Sequence, residues 1–410
     1  MPCSATRRSP IILAAAQLFC SLLACSCSDD DAERVRHAQS GNQSIHDRDA
    51  AKDMGMGTDT AVSVAGQDAG MDAAAPAEPM PAEPDLAALR GSGLDKYLGA
   101  ARPITEEKLP DESHFGFDVA DGPACLRGAA YAMGIRQRDS ENLLIYLQGG
   151  GACSSAVCKA NETANPKLPH SGLLNPDDND NPVADWNVVY VPYCDGSLLL
   201  GDSDLPEQNR IHHGLRNLTA ALEVGVIKLP KPRRILLAGA SAGGYGTIWG
   251  SSLVRLLYPE ASLYVLNDAG IGIGDPDHPE ARRASMLEWN SAQFVPASCS
   301  ACQDSAHLTP WMIWNMQHDP GLKLALFSAY QDSVISGTFL MMEPSAFERA
   351  LREQTEQVVS AAPERAKRFL IKGSQHTIGS IHTTHVGDES AGRWLTRMLA
   401  GDPDWQNVLE

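Results

Sequence analysis

Six short apolar runs punctuate the later part of the chain, at 143–148, 186–192, 234–238, 263–267, 323–330 and 368–372. They alternate with stretches compatible with helices at 214–225, 245–257, 344–359 and 391–400. Alternation of this kind predicts an α/β fold, with a mostly parallel central sheet covered by helices on both faces. In open sheets of this class, functional side chains gather beyond the carboxyl ends of the strands. The residues that follow each run are therefore where chemistry is to be sought.

After the third run stands Gly239-Ala240-Ser241-Ala242-Gly243, a serine between two glycines at the passage from strand to helix. This has the form of a nucleophile elbow, in which the backbones come too close for side chains beside the serine. A glycine-rich helix entry or a phosphate cradle would read the same way from five residues. After the first run comes Gly149-Gly150-Gly151, whose unobstructed amides, with that of Ala242, could stabilise an oxyanion. A flexible turn is the bland alternative. After the fifth run comes Asp332, and after the sixth His376, so the order serine, acid, histidine is that of α/β-hydrolase triads. Ser241 is expected as nucleophile, His376 as base and Asp332 as the carboxylate that fixes the imidazole tautomer.

Competitors for these roles are present. Asp268 ends the run beside the nucleophile's own and could be the triad acid, a helix cap or part of the pocket floor. His382 and His385 could replace His376, which is preferred because it comes first after the strand. His212 and His213, ahead of a helix, are expected to line or border the cleft. Asp177-Asp178-Asn179-Asp180 lacks the glycine and glutamate of a calcium loop and reads as a solvated turn, and no histidine pair has HExxH spacing, so no metal is expected.

The first residues change the picture of where this chemistry operates. Arg7 and Arg8 precede an apolar stretch at 11–23, too short for a stable bilayer span and suited to an export signal. Leu22-Leu23-Ala24-Cys25 has the form of a bacterial lipobox, which makes 1–24 the leader and Cys25 a lipid-bearing first mature residue followed by Ser26. The stretch 25–85 is acidic, rich in Ala and Pro and poor in aromatics, as expected of a disordered tether, and 86–410 is long enough for a single catalytic domain. The formal net charge of -18 argues against nucleic acid as a partner. Beyond the leader, Cys125, Cys153, Cys158, Cys194, Cys299 and Cys302 form an even set for which disulfides are expected in an exported protein. The sequons at Asn42, Asn161 and Asn217 carry little meaning in a bacterial product.

Several segments together resemble the pectin acetylesterase and Notum carboxylesterase family: Cys125-Leu126-Arg127-Gly128, Leu147-Gln148-Gly149-Gly150-Gly151-Ala152-Cys153, Tyr190-Val191-Pro192-Tyr193-Cys194-Asp195-Gly196, Gly239-Ala240-Ser241-Ala242-Gly243-Gly244, Asn267-Asp268-Ala269-Gly270, Asp332 and His376-Thr377. The resemblance spans about 96–399 and implies an α/β-hydrolase-like fold, ester hydrolysis through an acyl-serine, and no cofactor. It also implies disulfides Cys125 to Cys194, Cys153 to Cys158 and Cys299 to Cys302. Two positions depart from the family's habit: Ala152 replaces the usual Trp, and Gln148 the usual Glu. A missing indole removes a large apolar wall, so the pocket is expected to be shaped differently.

The resulting expectation is an exported serine carboxylesterase that removes short acyl groups, acetyl above all, from a polysaccharide or small ester. It is expected to be a monomer in the bacterial cell envelope, as an outer-membrane lipoprotein or secreted, touching the membrane only through Cys25. One alternative is a lipase or long-chain deacylase acting on lipid or acylated protein. Another is a binding lipoprotein on a retired hydrolase fold, but retention of nucleophile, base and oxyanion donors together argues against it.

Overall fold

All six apolar runs become neighbouring strands of one ten-stranded sheet. The computed structural model describes residues 83–379 and 381–410, so the expected leader, the lipidated Cys25 and the tether up to residue 82 lie outside the described residues. In chain order the strands are β1 (Pro103–Lys108), β2 (Ser113–Phe117), β3 (Ala132–Arg136), β4 (Asn142–Leu147), β5 (Asn187–Val191), β6 (Arg234–Ala240), β7 (Ser262–Asp268), β8 (Lys323–Ala329), β9 (Ala366–Ile371) and β10 (Val408–Leu409). Their order across the sheet is β1-β2-β3-β5-β4-β6-β7-β8-β9-β10. The links β1 to β2, β2 to β3 and β3 to β5 are antiparallel, and every link from β5 to β10 is parallel.

Side chains of the central strands divide by the two-residue period of a strand. Leu143, Ile145 and Leu147 of β4, with Ile235 and Leu237 of β6, enter one core, together with α2 (Gly214–Lys228), α3 (Ala242–Leu257), α6 (Thr309–His318) and α7 (Pro344–Ala361). Leu144 of β4, and Leu236 and Ala238 of β6, enter the other, which is closed by α8 (Ala391–Ala400) and apolar residues of the 168–186 segment. Burial on both faces is why these strands read as continuous apolar runs. The remaining helices, α1 (Leu86–Arg90), α4 (Pro279–Glu288) and α5 (Ser300–Asp304), are peripheral or belong to the long β7 to β8 crossover.

The helix ends follow sequence chemistry. Ser390 caps α8 by accepting the Arg393 N–H, and Gly401 closes it in the left-handed conformation at φ 69°. Pro344 opens α7, where its missing N–H costs nothing. At the start of the described chain, Asp85 caps α1 through the Ala88 N–H at 2.9 Å and donates its own N–H to the His318 carbonyl at 2.7 Å. The last residue assigned to the tether is thereby seated on α6.

Three disulfides join Cys125 to Cys194, Cys153 to Cys158 and Cys299 to Cys302, the pairing that the resemblance implies. The first ties the β2 to β3 connection to the segment after β5, and the second closes a small hairpin, Gly151–Cys153 with Cys158–Ala160, that begins on the last of the three glycines.

Candidate active site

The chain leaves β4 toward β5 on one side and returns through α2 to β6 on the other, so the strand order reverses between β4 and β6. Such a switch point opens a crevice beyond the carboxyl ends of the two strands. Gly149-Gly150-Gly151 leaves β4 there, and Ser241 leaves β6.

Ser241 joins β6 to α3 at φ 55° and ψ -119°, a conformation that costs a non-glycine residue on the order of 1–3 kcal/mol. The surroundings enforce it. Its N–H donates to the Asp268 carbonyl at 2.8 Å, and its carbonyl accepts the Tyr245 N–H at 3.1 Å. A Cβ on Gly239 would lie 2.2 Å from the Gly243 oxygen, and one on Gly243 would lie 2.0 Å from the Leu147 oxygen. The two glycines of the pentapeptide are thus fixed by backbone approach, and the geometry is that of an elbow. Asn267 staples the turn from the next strand, donating to the Gly244 and Gly270 carbonyls at 2.8 and 3.0 Å and accepting the Gly270 N–H at 3.0 Å.

The triple glycine is equally constrained. A Cβ on Gly149 would lie 2.5 Å from the Ala240 oxygen and one on Gly150 2.6 Å from the Tyr193 ring. Asn161, which sequence reading treated only as a sequon, donates its N–H to the Gly150 carbonyl at 2.8 Å and its Nδ2 to that of Gly149 at 3.5 Å. Gln148 accepts the Tyr193 N–H at 3.0 Å, so its amide oxygen serves the backbone rather than substrate. Ala242 is the first residue of α3, where an amide has no acceptor within the helix.

Gly150, Gly151, Ser241 and Ala242 line one cavity of about 390 Å³. Tyr245, Leu198, the hairpin of Gly151–Cys153 with Cys158–Ala160 and the apolar side chains of a wide helical turn of π type, Ser333–Leu340, contribute to its wall. That turn carried no periodic signal in the sequence. Asp332 and His376 are outside this lining and form a bonded pair: His376 Nδ1 stands 2.8 Å from Asp332 Oδ2. The fully buried Asp332 uses its other oxygen to accept the Val334 and Ile335 N–H groups at 2.9 and 3.0 Å, capping the wide turn. The loops that carry the pair extend the β8 to β9 pairing: Gln331 N–H donates to Gly373 at 3.0 Å and Ser333 N–H to Ser374 at 3.2 Å. Among the described contacts, no hydrogen bond joins Ser241 Oγ to His376.

The competitors have other partners. His382 bonds Asp178 through Nε2, and His385 donates from Nδ1 to the Thr383 carbonyl at 2.8 Å. Asp178, Asp180 and His382 thus come together on the surface, and the acidic run is a partly exposed turn. His212 and His213 are not among the residues that line the two cavities; His212 borders one of them, its ring 6.3 Å from that of Trp289, which lines the neighbouring apolar chamber. Both histidines stand where a hairpin strand meets α2, with Nδ1 of His212 bonded to the Asp195 carbonyl at 2.8 Å and Nδ1 of His213 to that of Gly122 at 2.5 Å. Asp268 has no hydrogen bond to an imidazole among the described contacts and accepts the Ile378 N–H on both oxygens, at 2.9 and 3.1 Å. Burial pushes its carboxyl up to about 7, the Asp332 charge acts in the same direction, and the Ile378 N–H and His376 oppose them. Burial also raises the Tyr245 phenol, which stays protonated at neutral pH.

A family model described as Pectinacetylesterase matches residues 115–306, a span that holds the glycine loop and Ser241 but ends before Asp332 and His376. Pectin acetylesterase 11 of Arabidopsis thaliana is 28% identical over 331 residues, 70% of this chain and 85% of that protein. Palmitoleoyl-protein carboxylesterase NOTUM of Homo sapiens is 24% identical over 275 residues, and notum1' of Xenopus laevis is 23% identical over 261. These two matches cover 55% and 52% of this chain and about half of each relative, 54% and 52%. Along most of its described length the chain is thus similar to the pectin acetylesterases and Notum carboxylesterases, and it is a carboxylesterase that hydrolyses ester bonds.

Proposed function

We propose that Ser241, His376 and Asp332 are the catalytic triad of an exported esterase that removes short acyl groups, acetyl foremost, from a polysaccharide. The bonded Asp332 and His376 pair, delivered at the same end of the sheet as a strained, glycine-flanked Ser241, carries the reading. An ionised carboxylate only accepts, so Nδ1 of the ring facing Asp332 bears the proton and Nε2 is left with its lone pair. Nε2 takes the Ser241 proton as Oγ attacks the ester carbonyl, a contact that tightens when substrate binds. The amides of Gly150, Gly151 and Ala242 hold the oxyanion. The protonated ring then gives its proton to the departing alcohol, and water repeats the sequence on the acyl-serine to release the acid.

Support for the acetyl and polysaccharide assignment comes from the match along most of pectin acetylesterase 11. Export is supported by the arginine-flanked apolar leader with its lipobox and by three disulfides. No helix among the described residues is long and apolar enough to cross a membrane.

A second reading, a long-chain deacylase, rests on one observation. An apolar chamber of about 290 Å³ adjoins the catalytic cavity and shares Val157, Leu198, Tyr245 and Phe339 with it. Buried Ala152, with its small side chain, lines the catalytic cavity. Hydrolysis of p-nitrophenyl esters from acetate to palmitate, by the wild type and Ser241→Ala, separates the readings. Activity confined to short chains and absent from the variant is the expected result. A long-chain preference would select the second reading, and a variant as active as the wild type would remove Ser241 from its role.

A further inference from the structure

Asp268 is a buried carboxylate that the triad leaves unused. Ser241 leaves β6, Asp268 ends β7, Asp332 follows β8 and His376 follows β9, so four consecutive strands of the sheet deliver them at one edge. With strands about 4.8 Å apart, β9 lies roughly 14 Å from β6. The turn bearing His376 must therefore be carried back across β8 and β7 before its ring can serve Ser241.

Asp268 stands under that crossing. Its side chain accepts the N–H of Ile378, two residues past His376, on both oxygens. Its backbone carbonyl accepts the N–H of Ser241 at 2.8 Å. Between His376 and Ile378, Thr377 is held at φ 67°, a left-handed conformation that is a genuine outlier for a β-branched residue. Gln375 braces the same turn, donating Nε2 to the Thr377 and Ile378 carbonyls at 2.8 and 3.1 Å.

We propose that Asp268 is a positioning residue of the catalytic site, which fixes the nucleophile through its backbone carbonyl and the base through its carboxylate. The inference rests on the triad assigned above. The titratable groups that face Asp268 are His376, Asp332 and Tyr146 of β4. Burial keeps the Tyr146 phenol neutral, Asp332 disfavours a second negative charge, and His376 favours one. Ionised Asp268 is thus the better acceptor for Ile378 and the better neighbour for the imidazolium formed during proton transfer.

Asp268→Asn keeps the shape and one acceptor oxygen but cannot ionise. Its kcat on p-nitrophenyl acetate at about pH 8 is expected to fall roughly 3- to 10-fold with KM within about twofold, the pattern of lost transition-state stabilisation. The acid limb of the wild-type pH profile is expected to contain an ionisation near 7 that the variant lacks. A purely structural role would not move that profile. Should the Asn variant not fold, Asp268→Ser, which keeps an oxygen while removing the charge, is read in the same way. Wild-type kcat together with an unchanged profile would overturn the inference. Ser241→Ala, assayed beside it, keeps the two levels apart: activity in that variant would sink the triad, whereas its silence beside an unaffected Asp268→Asn would sink only the positioning role.

Discussion

Buried carboxylates in this site divide by what surrounds them. Asp332 is fully enclosed yet has two amides and an imidazole as partners. Asp268 has one amide and a neighbouring negative charge, and its proton is held up to about 7. An unfolded chain releases that proton near a pKa of about 3.9. Between the two values the native state binds a proton that the unfolded state has lost, so this group's contribution to stability falls as pH rises from about 4 to about 7 and is level beyond. Melting of wild type and Asp268→Asn across that range should show the variant gaining on the wild type as pH rises. A constant gap would mean that Asp268 ionises as an ordinary carboxylate. Nothing in the sequence announced its contact with Ile378, because a backbone N–H has no residue signature and the partners lie 110 positions apart. Ser241, by contrast, was legible because its two glycines are demanded by sterics.

The parallel strands β4 to β9, buried on both faces, were readable as apolar runs, and the helices α2, α3, α7 and α8 as the stretches between them. The antiparallel strands were not: five of the six residues of β1 are exposed, which leaves no apolar face to find, and the buried β3 is short and interrupted by Gly134 and Arg136. The wide turn Ser333–Leu340 escaped for a related reason, since its apolar side chains are shared between the core and the cavity beside Ser241 and follow no helical period. Packing between helices rests partly on charge. Arg255 of α3 meets Asp319, just past α6, at 2.7 Å with both side chains buried, and Arg255 also donates to the Pro259 and Ala261 carbonyls at 3.0 and 2.7 Å. Asp319→Ala would strand the guanidinium, and a loss of about 3–5 kcal/mol is expected in urea unfolding. A loss below about 1 kcal/mol would show that water reaches Arg255 in the variant.

The order β5-β4-β6-β7-β8-β9 brings residues 150, 241, 268, 332 and 376 to one edge of the sheet although they span more than half of the chain. Chain order alone pointed to the serine, acid and histidine, since each follows a recognisable run. It could not supply the distance from β9 back to β6, which depends on register and on the turn that crosses between them. That difference in support should be visible in amide hydrogen exchange. Amides of β6, paired on both sides by β4 and β7, are expected to exchange only through global unfolding, whereas those of the 375–379 turn exchange through local openings. The Ile378 amide is expected to be better protected than its neighbours at 376 and 377, because its acceptor belongs to β7. If His376 is the base proposed here, the protection factor of that one amide reports the fraction of time the imidazole spends away from Ser241, a single proton gauging how firmly the site is assembled.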